Sequence, residues 1–500
     1  MLLDTVWNQL RRGLEFERGE QMNEFVQYLR ENEINSKVIE AIINSHKTQR
    51  EKMINQYERY KASIEGVPIL QRDAFTLEHQ EDFETGAILR IDDRVNNRLN
   101  NGFDSEIVDT KVGYMFGHPI TYEVDKNQVS ESGALVEAIN RFNLLNTIED
   151  ADSELGKKAA ICGYAARLAY VDKAGEVRTV NIDPWEAVII GNDITEPEFA
   201  LRYYEVTTWI DGKQIKREKA EFYDSSHVFY LEKGENGWTE IKIHEHLFDH
   251  CPLFGLPNND EFMGDAEKVL SLIDAYDRTL SDASNEIEQL RLAYMIFKGA
   301  GADEETLEKL KKHGVFELFG DNDDVKFLTK DINDTMIENH LNRLEENIMR
   351  FSKSVNFSDE AFGGNLTGVA MRYKLMALEN KCITMERKMT AALRYQYKLL
   401  CSAWARKNAS ITNDDYLKVW FTFTRNLPAN IVEEAETTAK LKGLVSEETR
   451  LSLLTFVDDV QYELERMIEA KLDSIYSFDE DEELDKRPAG SREKTENLDV

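Results

Sequence analysis

Positive charge is what this sequence lacks most. Its 94 Asp and Glu outnumber its 61 Lys and Arg, leaving a formal net charge of −33 over 500 residues. A protein that grips nucleic acid by its phosphates is basic, so an ordinary DNA-binding factor is excluded. A surface along which DNA slides without sticking is not excluded, and neither is plain acidic solubility. Long apolar runs are missing as well, and nothing approaches the ~20 residues of a membrane span. The opening MLLDTVWNQLRRGLEFERGE has no basic-then-apolar signal peptide, which predicts a chain kept in the cytoplasm. Cysteine is scarce: Cys162, Cys251, Cys382 and Cys401 stand far apart with no C-x-x-C pair, so reduced, buried thiols are expected.

The motifs of common enzyme classes are absent too. There is no G-x-S-x-G, no G-x-G-x-x-G and no Cys/His nucleophile pattern. Gly363 and Gly368 stand at P-loop spacing, but Val369 and Ala370 occupy the places of the phosphate-binding Lys and the Mg²⁺-binding Ser/Thr. The loop also follows a helix instead of a strand. It therefore reads as a flexible connection, with Thr367 as the N-cap of the next helix. In IKIHEHLFDHC, His244 and His246 are two apart on a strand and share a face, so a metal-dependent hydrolase stays open as an alternative. The pair is not H-E-x-x-H, and ordinary surface histidines explain it more simply. Acidic pairs such as Asp323–Asp324, Asp414–Asp415 and Asp458–Asp459 read as turns and helix caps. No enzyme, cofactor or metal site is expected.

What is present is a change of period along the chain. Residues 20–62 read as polar helix with a thin apolar stripe through Phe25, Leu29, Val38 and Ile42. Residues 88–250 are rich in β-branched and aromatic residues with hairpin turns at DKAG and DG; one helix, about 133–150, interrupts them, giving an α+β domain. EIVDTKVGYMFGHPITYEV belongs to this β-rich stretch. From Ala266 through Val269, Ile273 and Tyr276 to Ile287 and Leu290, apolar residues recur at helical spacing. A second seam runs through Ile337, Leu341, Leu344, Ile348 and Phe351. Between them LAYMIFKG, DEETLEKLKKHG and VFELFGDNDDVKFLTK form a small α/β tip. Residues 369–408 contain neither Gly nor Pro and predict a helix of ~60 Å. The strand YLKVWFTFTRNLP and three short helices follow, and the last residues are charged and poor in apolar side chains.

This layout resembles the portal proteins of tailed bacteriophages, on the branch of long-tailed siphophages of Gram-positive hosts. RVNNRLNNGFDSEIVDTKVGYMFGHPITYE is similar to the family's N-terminal signature, in which an Asn-rich helix leads into the IVDTKVGY run. PLFGLPNNDEFMGDAEKVLSLIDAYDRTLSDASNEIEQL is similar to its entry into the stem, and FTFTRNLPANIVEEAETTAKLKGLVSEETRLSLL to its approach to the crown. The resemblance implies an N-terminal helical region at 1–87, a wing at 88–262, stem helices at 263–291 and 331–351, and a clip at 292–330. It also implies a tunnel loop at 352–368, a long channel helix at 369–408, a wing strand at 409–427, crown helices at 428–476 and an acidic disordered tail at 477–500.

It further implies a dodecameric ring at one capsid vertex of the virion, assembled in the host cytoplasm. Its partners would be the terminase large subunit, a head–tail adaptor, major capsid and scaffolding proteins, and double-stranded DNA passing without sequence specificity. A shorter ring-forming head–tail connector is the structural alternative. Gly363, Gly364, Asn365, Leu366, Thr367 and Gly368 would face the DNA channel, with Lys353, Arg372 and Lys374 as channel charges. Lys309, Lys311 and Lys312 would meet the terminase or adaptor at the clip.

Overall fold

The computed structural model describes residues 18–72, 96–124, 129–210, 212–290, 294–298, 324–328, 334–356, 368–426, 431–454, 457 and 460–469. Two compact units divide it, Met1–Asn426 and Leu427–Val500.

In the first unit, helices α1 (Arg18–Glu31) and α2 (Ser36–Tyr60) replace the single helix expected over 20–62. Asn35 causes the break. Its side chain accepts from Lys37 N and Val38 N, satisfying two of the N–H groups that a helix start leaves unpaired. Helix α3 (Phe103–Phe116) then corrects the β reading of EIVDTKVGYMFG. Its β-branched residues are buried because the helix lies deep in the fold: Ile107 and Val108 pack against neighbouring elements. The Asn-rich run before it, residues 96–101, is extended and not the helix that the resemblance implied. Strand β1 (Thr121–Val124) follows. The single helix expected near 133–150 is two, α4 (Val129–Asn146) and α5 (Ile148–Cys162), separated by Thr147 in the left-handed region at φ 47°.

Eight strands build the two larger sheets. β4 (Ala187–Ile190), β5 (Phe199–Ile210), β6 (Lys213–Tyr223), β7 (His227–Gly234) and β8 (Gly237–Glu245) form an antiparallel meander in that order. β2 (Tyr164–Val171) lies between β3 (Val177–Ile182) and β9 (Leu253–Pro257) in the other. The two-residue period of a strand decides the packing. Val188 and Ile190 join Leu201 and Phe222 against Leu29, Ile39 and Ile42 of the first two helices. Ala187 and Ile189 point the other way, with Ala200 and Val228, onto Leu168, Ile182 and Leu253 of the three-stranded sheet. The meander is thus covered on both faces at its β4 side, while most of β8 and the outer halves of β5 and β6 stay largely exposed; each fully buried Leu or Ile contributes about 1.5–3 kcal/mol.

Helix α6 (Leu270–Leu290) and helix α7 (Asp334–Ser352) pack with Ile273 near the start of one and Ile348 near the end of the other, so they run antiparallel. Between them β10 (Tyr294–Lys298) pairs antiparallel with β11 (Asp324–Leu328). Phe351, expected in the α7 seam, is instead 54% exposed, and Ile287 of α6 is 62% exposed. Helix α8 (Gly368–Lys407) is 40 residues long, and β12 (Val419–Thr422) returns to pair with β1. The second unit contains α9 (Ile431–Lys440), α10 (Glu447–Leu451) capped by Ser446, and a helical run at 460–469.

Candidate functional site

The glycine loop itself, Gly363 to Thr367, lies outside the described residues, as do the Arg372 side chain, the clip lysines 309, 311 and 312, and the tail. What the structure does show is the frame from which that loop is hung. At one end α7 terminates at Ser352. Lys353 takes the left-handed conformation at φ 57°, and Ser354 N donates to Met349 O at 3.0 Å, satisfying a carbonyl of the last turn. Asn356 Nδ2 donates back to Glu345 Oε1 at 3.1 Å. At the other end the chain enters α8 at Gly368. Of the expected channel charges, Lys353 and Lys374 are both exposed.

Thirteen residues into α8, Lys381 bolts the frame together. Its Nζ lies 2.9 Å from Ser352 O, the end of α7, and 3.2 Å from Asp265 Oδ1, just before α6. The same carboxylate meets Lys111 of α3 at 3.1 Å and accepts from Asn258 Nδ2 at 3.0 Å. Lys111 also donates to Asn258 Oδ1 at 2.6 Å. Asp265 and Lys111 are almost wholly buried. Burial alone would push the Asp265 carboxyl up; the two ammonium groups beside it more than reverse that and hold it below its ordinary range. Burial lowers Lys381 from the usual lysine value, with Asp265 opposing. Two cations share one carboxylate here, and Ser352 O takes one further bond from Lys381.

Two further anchors fix α8 to the body. Arg425, just beyond β12, reaches Glu379 at 3.1 Å and Glu386 at 2.5 Å, and Tyr114 OH donates to Glu379 at 2.7 Å. Farther along, the fully buried Arg167 donates to Asp152 at 2.7 Å and to Gln396 at 2.9 Å. Tyr122 OH donates to the same Asp152. Sequence reading passed over these buried ions because each is isolated in the chain; only the fold brings Lys111, Asp265 and Lys381 together.

Histidines 244 and 246 do not form a metal centre. His246 Nε2 is 3.1 Å from Asp224 O, and its Nδ1 accepts from Phe248 N at 3.3 Å, so neither ring nitrogen is left for a ligand bond. Burial also lowers its pKa, keeping the ring neutral. Among the described residues no group of three His, Cys, Asp or Glu is placed to hold a metal. All four cysteines are free and buried, and burial pushes Cys162, Cys251 and Cys401 up to about 12. Of the Asp414–Asp415 pair, Asp415 completes a capping box with the N-cap Thr412, accepting from Thr412 N at 2.8 Å.

Comparison with known proteins adds the decisive observation. The model of the phage portal protein family, SPP1 Gp6-like, matches residues 39–475. The chain belongs to this family. The portal protein of Bacillus phage SPP1 is 27% identical over 405 residues, 77% of this chain and 78% of that one. The portal protein of Clostridium phage phiCD119 is 25% identical over 455 residues, covering 85% and 93%. The solved neck of an empty GTA particle, computed with C6 symmetry, aligns with a TM-score of 0.42 at 13% identity over 71% of this chain and 90% of that chain. Portal proteins are structural components of the phage particle. Among the described residues of this one, no helix is long and apolar enough to cross a membrane.

Proposed function

We propose that copies of this portal-family chain close into a dodecameric ring at one capsid vertex, admit DNA during packaging and release it at ejection. The ring is assembled in the host cytoplasm, where it nucleates procapsid formation with the major capsid and scaffolding proteins. It then docks the terminase large subunit and, later, a head–tail adaptor. Residues 88–262 serve as the wing, α6 and α7 as the stem, 292–330 as the clip, α8 as the long channel helix and 428–476 as the crown. The loop from Gly363 to Gly368 faces DNA, and Lys353, Arg372 and Lys374 give local attraction to phosphate in an otherwise acidic channel. Energy for DNA movement is supplied by the terminase, since the glycine loop has no phosphate-binding lysine.

The observation that carries this reading is the family match over residues 39–475. The exposed apolar residues Ile287 and Phe351 on α6 and α7 support it: one copy leaves them in solvent. Identical heterologous contacts of that kind close into rings. Negative-stain electron microscopy of the purified chain should show closed rings with a central hole. A compact monomer at micromolar concentration in mass photometry would overturn it.

A further inference from the structure

Helix α8 is bolted to the body along one face, where Leu378, Cys382, Met385, Met389 and Leu393 are buried. Its opposite face is bare. Asn380, Thr384, Arg387, Ala391 and Arg394 are all exposed at alternating spacings of four and three, the repeat of a single helical stripe. This stripe covers about 20 Å of helix. Acidic side chains are missing from it: Glu379 and Glu386, the acids of α8, both turn to Arg425.

Arginines without partners are unusual in this protein. Among those whose side chains are described, nearly all reach a carboxylate, a carbonyl or an aromatic ring. Arg278, Arg387 and Arg394 alone have no ion pair, hydrogen bond or ring contact. With 94 carboxylate residues in the chain, an arginine that meets none is the exception, and two of the three share one stripe, seven residues apart.

We propose that this stripe docks against a carboxylate-bearing surface of a second copy of the chain. The inference rests on the ring reading above and names a contact for it. Charge complementarity argues for that occupant. A copy with a net charge of −33 repels its neighbour unless the contact sets unlike charges together, and the stripe is a local positive patch with free donors. Ala391 and Thr384 beside the arginines keep the surface low, so that a neighbouring backbone approaches closely while the guanidinium groups reach its carboxylates. DNA is the less suitable occupant, because two arginines seven residues apart face the long-range repulsion of the whole chain.

The test uses the full-length chain carrying Ala391→p-benzoylphenylalanine, illuminated after assembly. The expected result is an adduct of twice the chain mass, mapping to an acidic peptide of another copy. The second variant, Arg387→Glu with Arg394→Glu, should melt like wild type as a subunit, since neither side chain has a partner within it. Its assembled fraction at low salt should fall at least about tenfold. If wild type never assembles, the ring reading fails and this inference with it. If wild type forms rings but the photoprobe gives no intersubunit adduct and the reversed variant assembles normally, this inference alone is overturned. An adduct to added double-stranded DNA in place of a second copy also overturns it, assigning the stripe to the channel.

Discussion

The backbone N–H of Asn101 donates to Asp277 of α6 at 3.1 Å, and that bond is one tooth of a zipper. Leu99 N donates to Ser281 Oγ at 3.0 Å and Asn97 N to Asn285 Oδ1 at 2.7 Å. Alternate residues of an extended chain advance ~6.6 Å. Four residues of helix advance ~6.0 Å, so three teeth engage before the mismatch grows. The Asn-rich run is therefore held extended along α6, with Asn97 Nδ2 adding a bond to Glu288 at 2.9 Å.

Asp277 allows a sharp test of that zipper. Both bonds from Asn101, through N and Nδ2, fall on Oδ1. Burial raises the Asp277 carboxyl above its ordinary value, with Asn101 opposing. A raised carboxyl means that the folded chain holds its proton more tightly than the unfolded one. Stability is therefore lost as pH rises from the ordinary carboxylate value through the folded one. Asp277→Asn keeps the acceptor and drops the charge, so it should melt at or above wild type at pH 7, with the gap closing toward pH 4. Asp277→Ala removes the acceptor and should cost about 1–3 kcal/mol. Thermal melts in which the Asn variant falls as far as the Ala variant would refute the assignment.

The Lys111–Asp265–Lys381 cluster gives a ranking. Asp265→Asn leaves two buried ammonium groups without their carboxylate and should be the worst, at about 3–5 kcal/mol. Lys111→Met comes next, because Lys111 is the more buried lysine and also holds Asn258. Lys381→Met should be mildest for stability, since Asp265 keeps Lys111. The Asp265 carboxyl is lowered in the folded chain, so its contribution is present above the ordinary carboxylate value and lost as pH falls through the folded one. Denaturant melts between pH 6 and pH 3 should therefore converge for wild type and Asp265→Asn; parallel curves would count against the cluster.

Much of this architecture was legible beforehand, and the misses have physical causes. The β5–β6 hairpin followed from alternating residues around DG, and α8 from forty positions without Gly or Pro after its first residue. α3 was misread because a helix buried on several sides takes Ile and Val as readily as a strand does. The breaks at Asn35 and Thr147 turn on one capping or left-handed residue each, too small a signal for periodicity to register. At the site, Lys353 was legible as a charge next to the loop. The ions that fix the loop's frame were not, because residues 111, 265 and 381 become neighbours only in three dimensions.

Histidine protonation should set the acid limit of the two larger sheets. Burial lowers His246, and burial with nearby Lys398 lowers His250. A lowered histidine binds its proton less well when folded, so stability falls as pH drops through the ordinary histidine value near 6.5. Wild type should lose melting temperature between pH 7.5 and 5.5. The double variant His246→Asn, His250→Asn should start lower but lose less over the same interval. Equal slopes by differential scanning fluorimetry would place the acid sensitivity elsewhere.

Deleting Gly363 to Thr367 separates the loop from its frame. Ser352 O sits against the Lys381 ammonium, whereas α8 begins thirteen residues earlier at Gly368, so the connection climbs ~20 Å along the helix. After the deletion, residues 353–362 still reach ~33 Å when extended, more than the climb requires. The anchors at Lys381, Arg425 and Arg167 all lie outside the deleted segment and should hold as before. With those anchors intact, the shortened chain should melt within about 0.5 kcal/mol of wild type. If the loop lines the DNA path, assembled particles should show impaired packaging or retention, measured as nuclease-protected DNA per particle. Normal packaging by particles built with the deletion would remove the loop from that path, and a large loss of stability would make it part of the frame.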